Sequence, residues 1–385
     1  MLSVITISVA WIVKSRHLPA PYLPGAGLEP PDTIVAAPIA AGVGISMAVT
    51  EDGGLWAWGS YRSAQLGYRS DTDYHYPIRI MEDMAAVSIN VSEIMFSRVG
   101  NTLVAALTSD GTLKIWGVDI RDRDFGRPGD SDGPISFGYL SEPLEVMKNV
   151  TAFSSGGGHL MAITSDNTLW GMGVGAHGRA GIGSSHSAEP IKVMDNVVAV
   201  STGYRHTVAV TSDGVLWAMG NNSSGQLGVA EDLVPQAFNP IRIMDDVIAV
   251  SAGAYNTTAI TSDGTLWGWG SNWYGQLGGG ASRSPHIPTK IMDDVVAVSA
   301  GYGHTMFIRS DGTLWGIGWN HFGQLGDGTT ENRYSPVRIM DDVVYVSASK
   351  GHTMAVTSDG TLWAWSRTTE EHLYPARVMD GVRLP

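Results

Sequence analysis

Four histidines recur at one position of a repeated sequence pattern, and histidines that recur in this way are candidate metal ligands. They are His159, His206, His304 and His352. Metal-bound nitrogens must converge to about 2.0–2.1 Å from one ion, whereas equivalent positions of successive repeats are spread out. We therefore expect each histidine to tie down the backbone of a turn, and we predict no metal site. The chain has no cysteine, which excludes thiolate zinc sites, disulfides and cysteine nucleophiles.

The other catalytic patterns in the sequence are incomplete. Residues 171–175 resemble a dinucleotide-binding fingerprint, but no helix follows them to receive a phosphate. Residues 130–133 form a fragment of a calcium loop that lacks the remaining ligands. We find no nucleophile elbow, zinc-binding helix or phosphate loop, so we predict no catalytic residue and no cofactor. Paired carboxylates across a central channel would leave hydrolase or lyase chemistry open.

Aromatic side chains, some beside arginine, occupy the variable segments of the repeats. This composition on a rigid scaffold is typical of protein-binding hot spots. The alternative is that the rings fold back and hold their own loops together. The candidate partner-binding residues are Tyr61, Arg62, Tyr204, Arg205, Tyr255, Trp273, Tyr274, Tyr302, Trp319, His321 and Phe322.

The elements that must position these residues are revealed by an internal repeat. The block Ser-Asp-Gly-Thr-Leu-Trp stands unaltered at 262–267, 310–315 and 358–363. With its variants it provides seven aspartates, spaced 47 to 58 residues apart: Asp52, Asp110, Asp166, Asp213, Asp263, Asp311 and Asp359. Seven units of about fifty residues match the length of four-stranded propeller blades. Helical periodicity is absent, so the sequence predicts an all-β, seven-bladed β-propeller.

The sixth unit illustrates the four predicted strands, a to d. The predicted strands cover 295–299, 304–310, 313–318 and 336–340, and an Asp-Gly turn joins b to c. In such a blade the b–c and d–a turns share one face, and the a–b and c–d loops share the other. The candidate aromatic residues therefore lie on the second face. The strands are apolar on both sides, as covered sheets require.

One tryptophan position recurs in strand c of six units. Each of these side chains would bury about 150–250 Å², so we predict that they form the core between blades. They are Trp56, Trp170, Trp217, Trp267, Trp315 and Trp363.

These motifs resemble the regulator of chromosome condensation repeat family. The resemblance is carried by Gly351-His352-Thr353, Trp269-Gly270 and the Gly-Gln-Leu-Gly blocks at 225–228, 275–278 and 323–326. It covers about residues 34–380 and implies a seven-bladed propeller, here taken as a bacterial-type member. We expect an apolar segment and Pro-rich linker over 1–33 and the propeller over 34–385.

Several units depart from the family pattern. Asn256 and Ile45 replace the usual histidine, and Lys114 replaces the tryptophan. Unit 2 carries a charged, glycine-rich insertion at 119–138, and unit 7 lacks Gly-Gln-Leu-Gly.

The charge of the chain bears on its partners. With 37 acidic and 24 basic residues the net charge is −13, so we expect no nucleic-acid partner. Aspartates at the b–c and d–a turns predict one acidic face, which either gives solubility or docks a basic partner. No run of 18 apolar residues occurs, so no membrane span is predicted. We expect a monomer that is secreted or on a bacterial cell surface, with the cytoplasm as the alternative.

The resulting functional hypothesis is a non-enzymatic propeller that binds a protein through the aromatic loops. The resemblance implies such a role, because bacterial relatives include a secreted inhibitor that clamps β-lactamase. The first alternative is guanine-nucleotide exchange on a small GTPase, the activity of the eukaryotic namesake, which also docks on nucleosomes. The second is a propeller hydrolase or lyase. No contact residue can be matched individually to a relative.

Overall fold

The structure is a computed structural model that describes residues 37–42, 44–59, 74–92, 101–120, 139–280, 284–366 and 372–384. The predicted N-terminal segment 1–33, the boundary at residue 34 and nearly all of the insertion 119–138 lie outside the described residues. Strands in the described part form seven antiparallel sheets of four, each taken consecutively from the sequence. The predicted all-β propeller is confirmed.

The first four blades contain strands β1 to β16. They are β1 Ile39–Ala41, β2 Ile45–Val49, β3 Leu55–Gly59 and β4 Tyr74–Met81 in blade 1; β5 Met84–Ser92, β6 Asn101–Thr108, β7 Leu113–Val118 and β8 Tyr139–Met147 in blade 2; β9 Val150–Ser155, β10 His159–Thr164, β11 Leu169–Gly173 and β12 Ser187–Met194 in blade 3; and β13 Val197–Thr202, β14 His206–Thr211, β15 Leu216–Asn221 and β16 Gln236–Met244 in blade 4.

The last three blades contain strands β17 to β28. They are β17 Val247–Ala252, β18 Asn256–Thr261, β19 Leu266–Gly270 and β20 Thr289–Met292 in blade 5; β21 Val295–Ala300, β22 His304–Arg309, β23 Leu314–Gly318 and β24 Arg333–Met340 in blade 6; and β25 Val343–Ala348, β26 Thr353–Thr357, β27 Leu362–Ser366 and β28 His372–Met379 in blade 7. One 3-10 turn, Ala176–Gly178, lies between β11 and β12.

Backbone hydrogen bonds confirm the predicted division into two faces. On the turn face, Val343 N at a d–a turn donates to Gly312 O of a b–c turn (2.9 Å). On the opposite face, Trp319 N of a c–d loop donates to Gly303 O of an a–b loop (2.8 Å). We call these the turn face and the mouth face.

Turn chemistry explains the aspartates of the turn face. The second residue of each d–a turn has a positive φ, as in Asp246 (58°) and Asp342 (58°), a conformation that Asp and Asn tolerate better than most residues. The first aspartate pairs with a base three residues earlier, as in Arg242–Asp245 (2.5 Å) and Lys290–Asp293 (2.7 Å). The acidic face predicted from the sequence is therefore partly neutralised by its own Lys and Arg side chains.

The recurring tryptophans lie nearer the surface than predicted. All six are half-buried, and five donate their indole N–H to the threonine that ends strand b, as Trp217 does to Thr211 Oγ1 (3.2 Å). The fully buried indoles are Trp116, Trp269 and Trp365, each two positions further along strand c. Along strand c these positions lie nearer the mouth face, where the carbonyls of Gln226 and Gln324 accept from the indoles of Trp269 and Trp365. This cover comes from the neighbouring blade and cannot be seen in the apolar pattern of one repeat.

The histidines were expected to tie down the backbone of a turn, and the structure shows that they join neighbouring blades. His352 does both, because its ring contacts Ser46 Oγ of blade 1 (3.0 Å) and Ser349 Oγ of its own a–b loop (3.1 Å). His206 Nε2 lies 2.9 Å from Thr257 Oγ1 of the next blade. Because Thr257 Oγ1 donates to the Gln226 carbonyl (2.8 Å), the hydroxyl oxygen accepts from a protonated Nε2. Blades 3–4 and 6–7 repeat the contact through His159–Thr207 (2.9 Å) and His304–Thr353 (3.0 Å). We call this arrangement the His–Thr clamp.

The Gly-Gln-Leu-Gly loops complete the clamp from the mouth face. Besides the threonine, the Gln226 carbonyl accepts from Trp269 Nε1 (3.0 Å), and the Gln324 carbonyl accepts from Trp365 Nε1 (2.9 Å). The loops of Gln226 and Gln324 therefore each hold the following blade by two hydrogen bonds. The motif is a device for joining blades.

A ring of serines around the central channel provides a second set of joints. Each serine hydroxyl accepts from a backbone N–H on the innermost strand of the next blade, as Ser251 Oγ does from Ala300 N (3.0 Å). Five further junctions repeat this bond, with serines 88, 154, 201, 299 and 347. Ser347 bonds Ala41 of blade 1 and so closes the ring.

A short C-terminal segment also closes the ring. Glu51 N donates to Gly381 O (3.0 Å), Arg383 N donates to Val49 O (3.0 Å), and Val382 is buried between blades 7 and 1.

Candidate partner-binding site

The central channel opens on the mouth face into a cavity of about 100 Å³. The ends of the innermost strands and the a–b loops line it, mostly with Gly and Ala. The larger lining side chains are Tyr204, Tyr255, Tyr302 and Lys350. None of the described lining residues is Asp or Glu, so this part of the channel offers no pair of carboxylates for hydrolase or lyase chemistry.

Three of the predicted tyrosines form a row along this mouth, on the a–b loops of blades 4, 5 and 6. The rings of Tyr204 and Tyr255 are 5.6 Å apart edge to face, and those of Tyr255 and Tyr302 are 6.4 Å apart. Tyr204 N donates to Ala254 O (3.2 Å), which fixes the spacing of the loops. Burial raises the pKa of Tyr255 and Tyr302 above the ordinary value, so both hydroxyls stay protonated at neutral pH.

The row continues outward into a cluster around Trp319, on the c–d loop of blade 6. Trp319 stacks on Tyr274 at 5.0 Å and meets Tyr302 at 6.1 Å, Phe322 at 5.1 Å and His321 at 6.1 Å. Trp319 is only 9% exposed. For Trp319 and Tyr274 the structure thus favours the reading in which aromatic rings hold loops together.

Trp273 and Phe322 project from anchored loops into solvent. Trp273 is 76% exposed and Phe322 is 40% exposed. The Trp273 loop is held by Asn272 Nδ2, which donates to Gly278 O and Gly280 O (both 3.0 Å). The Phe322 backbone N–H donates to Gln324 Oε1 (3.0 Å). These rings are therefore presented by rigid backbone, and their exposure is not a result of loose loops.

Basic groups flank the tyrosine row at both ends. The Arg205 guanidinium lies 5.3 Å from the Tyr204 ring centre, and Lys350 Nζ lies 5.2 Å from that of Tyr302, distances typical of cation–π contacts. Burial lowers the pKa of Lys350. Lys350 was not among the predicted residues. It lies in unit 7 and its aromatic neighbour Tyr302 in unit 6, so the sequence does not show that the two are in contact.

A further arginine was also missed by the sequence reasoning. Arg179 stands at the glutamine position of a degenerate Gly-Arg-Ala-Gly block, and Thr207 donates to its carbonyl (2.6 Å) as in the intact motifs. Its side chain is 8% exposed. Burial and then the charge of Arg205 lower its pKa to about 10.

Nine of the eleven predicted residues lie in the described part of the chain, all on the mouth face, and Tyr61 and Arg62 lie outside it. Eight of the nine are linked by ring or cation contacts, and Trp273 stands beside the cluster without such a contact. Within the described residues, no three His, Asp or Glu side chains are grouped as a metal ion would require. No helix of the described part is long and apolar enough to cross a membrane.

Comparison with known proteins agrees with the architecture. The model of the RCC1-like domain family matches residues 14–280 and 140–374. The ultraviolet-B receptor UVR8 of Arabidopsis thaliana is 30% identical over 149 residues, which is 38% of this chain and 31% of the receptor. The chain thus matches about a third of the length of this curated relative.

Two solved structures share the fold. Human WBSCR16 has a TM-score of 0.69 at 21% identity, covering 85% of this chain and 87% of its own. Prp20p of Saccharomyces cerevisiae has a TM-score of 0.67 at 19% identity, covering 81% and 80%. These relatives are eukaryotic and give no support to the bacterial assignment made from the sequence. The matched family model spans well over half of the sequence, and the chain belongs to the RCC1-like domain family.

Proposed function

We propose that this chain is a non-catalytic protein-binding propeller whose partner contacts the mouth face. The observation that carries this proposal is the exposure of Trp273 and Phe322 on loops that are themselves anchored by partly buried hydrogen bonds. Large apolar rings held rigidly in solvent lose little conformational entropy when a partner covers them. Aromatic residues of this kind dominate binding energy at protein interfaces.

The inner cluster supports the same function. Trp319, Tyr274 and the tyrosine row form a continuous aromatic floor from the rim to the channel. Since these rings pack on one another, they are already in place before a partner arrives. A preformed floor with two exposed rings at its outer edge fits the anatomy of an interface, in which an apolar centre is surrounded by polar residues. Prp20p was characterised for binding to Gsp1p and histones. The partner of this chain has to be identified separately, by testing which proteins bind to the loops of its mouth face.

The test is affinity capture by the full-length chain and by Trp273→Ala/Phe322→Ala. A matched control is Tyr76→Ala, because Tyr76 is 81% exposed on the outermost strand of blade 1, whereas Trp273 and Phe322 belong to blades 5 and 6. A specific partner should lose at least tenfold in affinity for the double variant and none for the control, with melting temperatures unchanged. Equal binding by all three proteins would overturn the assignment of the mouth face.

A further inference from the structure

Two arginine side chains lie beside the channel mouth with no counter-charge in the described part of the chain. Arg179 Nε donates to Ala176 O (3.0 Å) and its Nη1 donates to Gly157 O (2.7 Å), both neutral carbonyls. Arg205 stacks on Tyr204. No ion pair joins either guanidinium to a carboxylate among the described residues. A buried cation that lacks a counter-charge is costly, and an anion placed beside it relieves that cost.

The two arginines border one continuous patch. Tyr204 packs so closely on Gly157 that a Cβ at that glycine would lie 2.6 Å from the tyrosine ring. Gly157 in turn carries the carbonyl that Arg179 binds. A chain of direct contacts therefore connects Arg205 to Arg179 through Tyr204 and Gly157. The positive charges of both guanidinium groups act on the same surface.

The other end of the tyrosine row is also basic. Lys350 lies over Tyr302, and it is the charged member of the described cavity lining. The repeated aspartates of this acidic chain stand on the turn face instead. The described cavity lining, with Arg205 and Arg179 beside it, is therefore electropositive on a protein of net charge −13. Such an area attracts anionic segments while the remaining surface repels long polyanions.

We infer that the partner segment received at the mouth is an acidic peptide, whose carboxylates lie beside Arg205 and Arg179 and whose chain follows the tyrosine row towards Lys350. This inference rests on the proposed function, because it names the chemistry of the partner at the same face. Charge-assisted hydrogen bonds from guanidinium to carboxylate are strong and can be bidentate. Glycines and alanines along the cavity wall leave room for a peptide backbone.

The test measures fluorescence anisotropy with three fluorescein-labelled probes: an alternating Glu-Gly decapeptide, an alternating Gln-Gly decapeptide and a ten-nucleotide thymidine strand. The full-length chain should bind the Glu-Gly peptide at least tenfold more tightly than the Gln-Gly peptide. Raising the salt from 50 to 300 mM should weaken this binding, because salt screens exposed charges.

Variants locate the binding. Arg205→Glu should weaken Glu-Gly binding at least tenfold. Arg179→Gln should weaken it while preserving the fold, since glutamine stands at this position in blades 4, 5 and 6. The matched control is Arg242→Glu on the turn face, which should bind as the wild type does. Equal affinity for the Glu-Gly and Gln-Gly peptides, tighter binding of the oligonucleotide, or an equal loss in Arg242→Glu would each overturn the inference.

The captured partner separates this inference from the proposed function. A partner lost by Trp273→Ala/Phe322→Ala and by Arg205→Glu supports both. A partner lost by the aromatic variant and retained by Arg205→Glu overturns the acidic-peptide inference and leaves the protein-binding function standing.

Discussion

Replacing Asn256 with histidine should stabilise the propeller, because the junction between blades 5 and 6 lacks the His–Thr clamp. Asn256 occupies the histidine position, and both polar atoms of its buried amide have no hydrogen-bond partner in the described structure; the same holds for Thr305 Oγ1, the threonine that faces it. A glycine lies against this side chain at both kinds of junction, as the ring of histidine requires. A Cβ at Gly253 would lie 2.5 Å from Asn256 Oδ1, just as one at Gly203 would lie 2.3 Å from His206 Cε1.

The magnitude follows from the groups that gain or lose partners. The net contribution of one hydrogen bond to stability is about 0.5–1.5 kcal/mol, and a buried polar group without a partner costs about 1–3 kcal/mol. Asn256→His supplies a bond to Thr305 Oγ1 and removes the unpartnered amide. The new Nδ1 stays without a partner, as Nδ1 of His206 already does. We expect the free energy of unfolding to rise by about 1–3 kcal/mol.

Urea unfolding at pH 7, followed by tryptophan fluorescence, measures the effect. The mirror variant His304→Asn creates the same defect at the junction of blades 6 and 7 and should destabilise the protein by a similar amount. Amide exchange at Thr305 should slow in Asn256→His, because the junction opens less often. A neutral or destabilising Asn256→His beside a clearly destabilising His304→Asn would refute the clamp as the reason for histidine at this position.

The stabilising effect of Asn256→His should depend on pH, and the sign of this dependence can be worked out. Burial lowers the pKa of His206 and His304 from 6.5 to about 3. The unfolded chain therefore takes up protons first, so stability is complete above pH 6.5 and falls as the pH drops towards 3. Each buried histidine contributes about 1.4 kcal/mol per pH unit in this window. Asn256→His adds one more such group, so its gain at pH 7 should shrink by pH 5. If the free energy of unfolding of Asn256→His changed with pH between 7 and 5 as it does in the wild type, this account would be contradicted. Hydrogen bonds from threonine lower the pKa of the turn aspartates below the ordinary 3.8, so these groups add to the loss of stability at the acid end of this range. The comparison of pH 7 with pH 5 therefore reports mainly on the histidines.

Three further predictions concern packing, the serine ring and activity. Trp365→Ala should cost about 3–5 kcal/mol in urea unfolding, and the half-buried Trp315→Ala clearly less; equal losses would contradict their different depths. Ser299→Ala leaves the Ala348 N–H without its partner and should cost about 1–3 kcal/mol, measurable by the same method against Ser212→Ala at an exposed turn. Release of a fluorescent guanine nucleotide from small GTPases should not accelerate when the full-length chain is added; acceleration would favour the exchange-factor alternative over a purely binding role.

Much of the fold could be predicted from the sequence, because its signals are local. Asp-Gly turns, proline at the start of strand d and a spacing near fifty residues determine each blade without reference to its neighbours. In the sixth unit the predicted strand at 295–299 corresponds to β21, Val295–Ala300, and the predicted face assignments are confirmed by hydrogen bonds.

The contacts between blades were not predicted, because they join residues about fifty positions apart. His206 to Thr257 and Ser251 to Ala300 are examples. The serine ring left a signal in the sequence, a serine at the same place in six units, but nothing in one unit shows which backbone N–H it meets. Arg179 was hidden for a related reason. Its block lacks the Leu of the motif, and only the loop geometry aligns it with Gln226.

The aromatic site was predicted in part. Residue type identified the loops, and the structure brings eight of the candidates into one linked cluster. Composition could not separate a locked ring from an exposed one. Trp319 and Trp273 have the same chemistry and similar loops, yet only the three-dimensional neighbours of Trp319 cover it.

Every blade in the described structure is formed by four strands that are consecutive in the sequence. Residues 381–383 join the last blade to the first through backbone hydrogen bonds with residues 49–51. One repeat of the sequence therefore corresponds to one complete blade of the structure. A duplication or deletion of one forty-eight-residue repeat would add or remove a complete sheet and would leave every other sheet intact. Only the curvature of the ring and one junction would have to adjust.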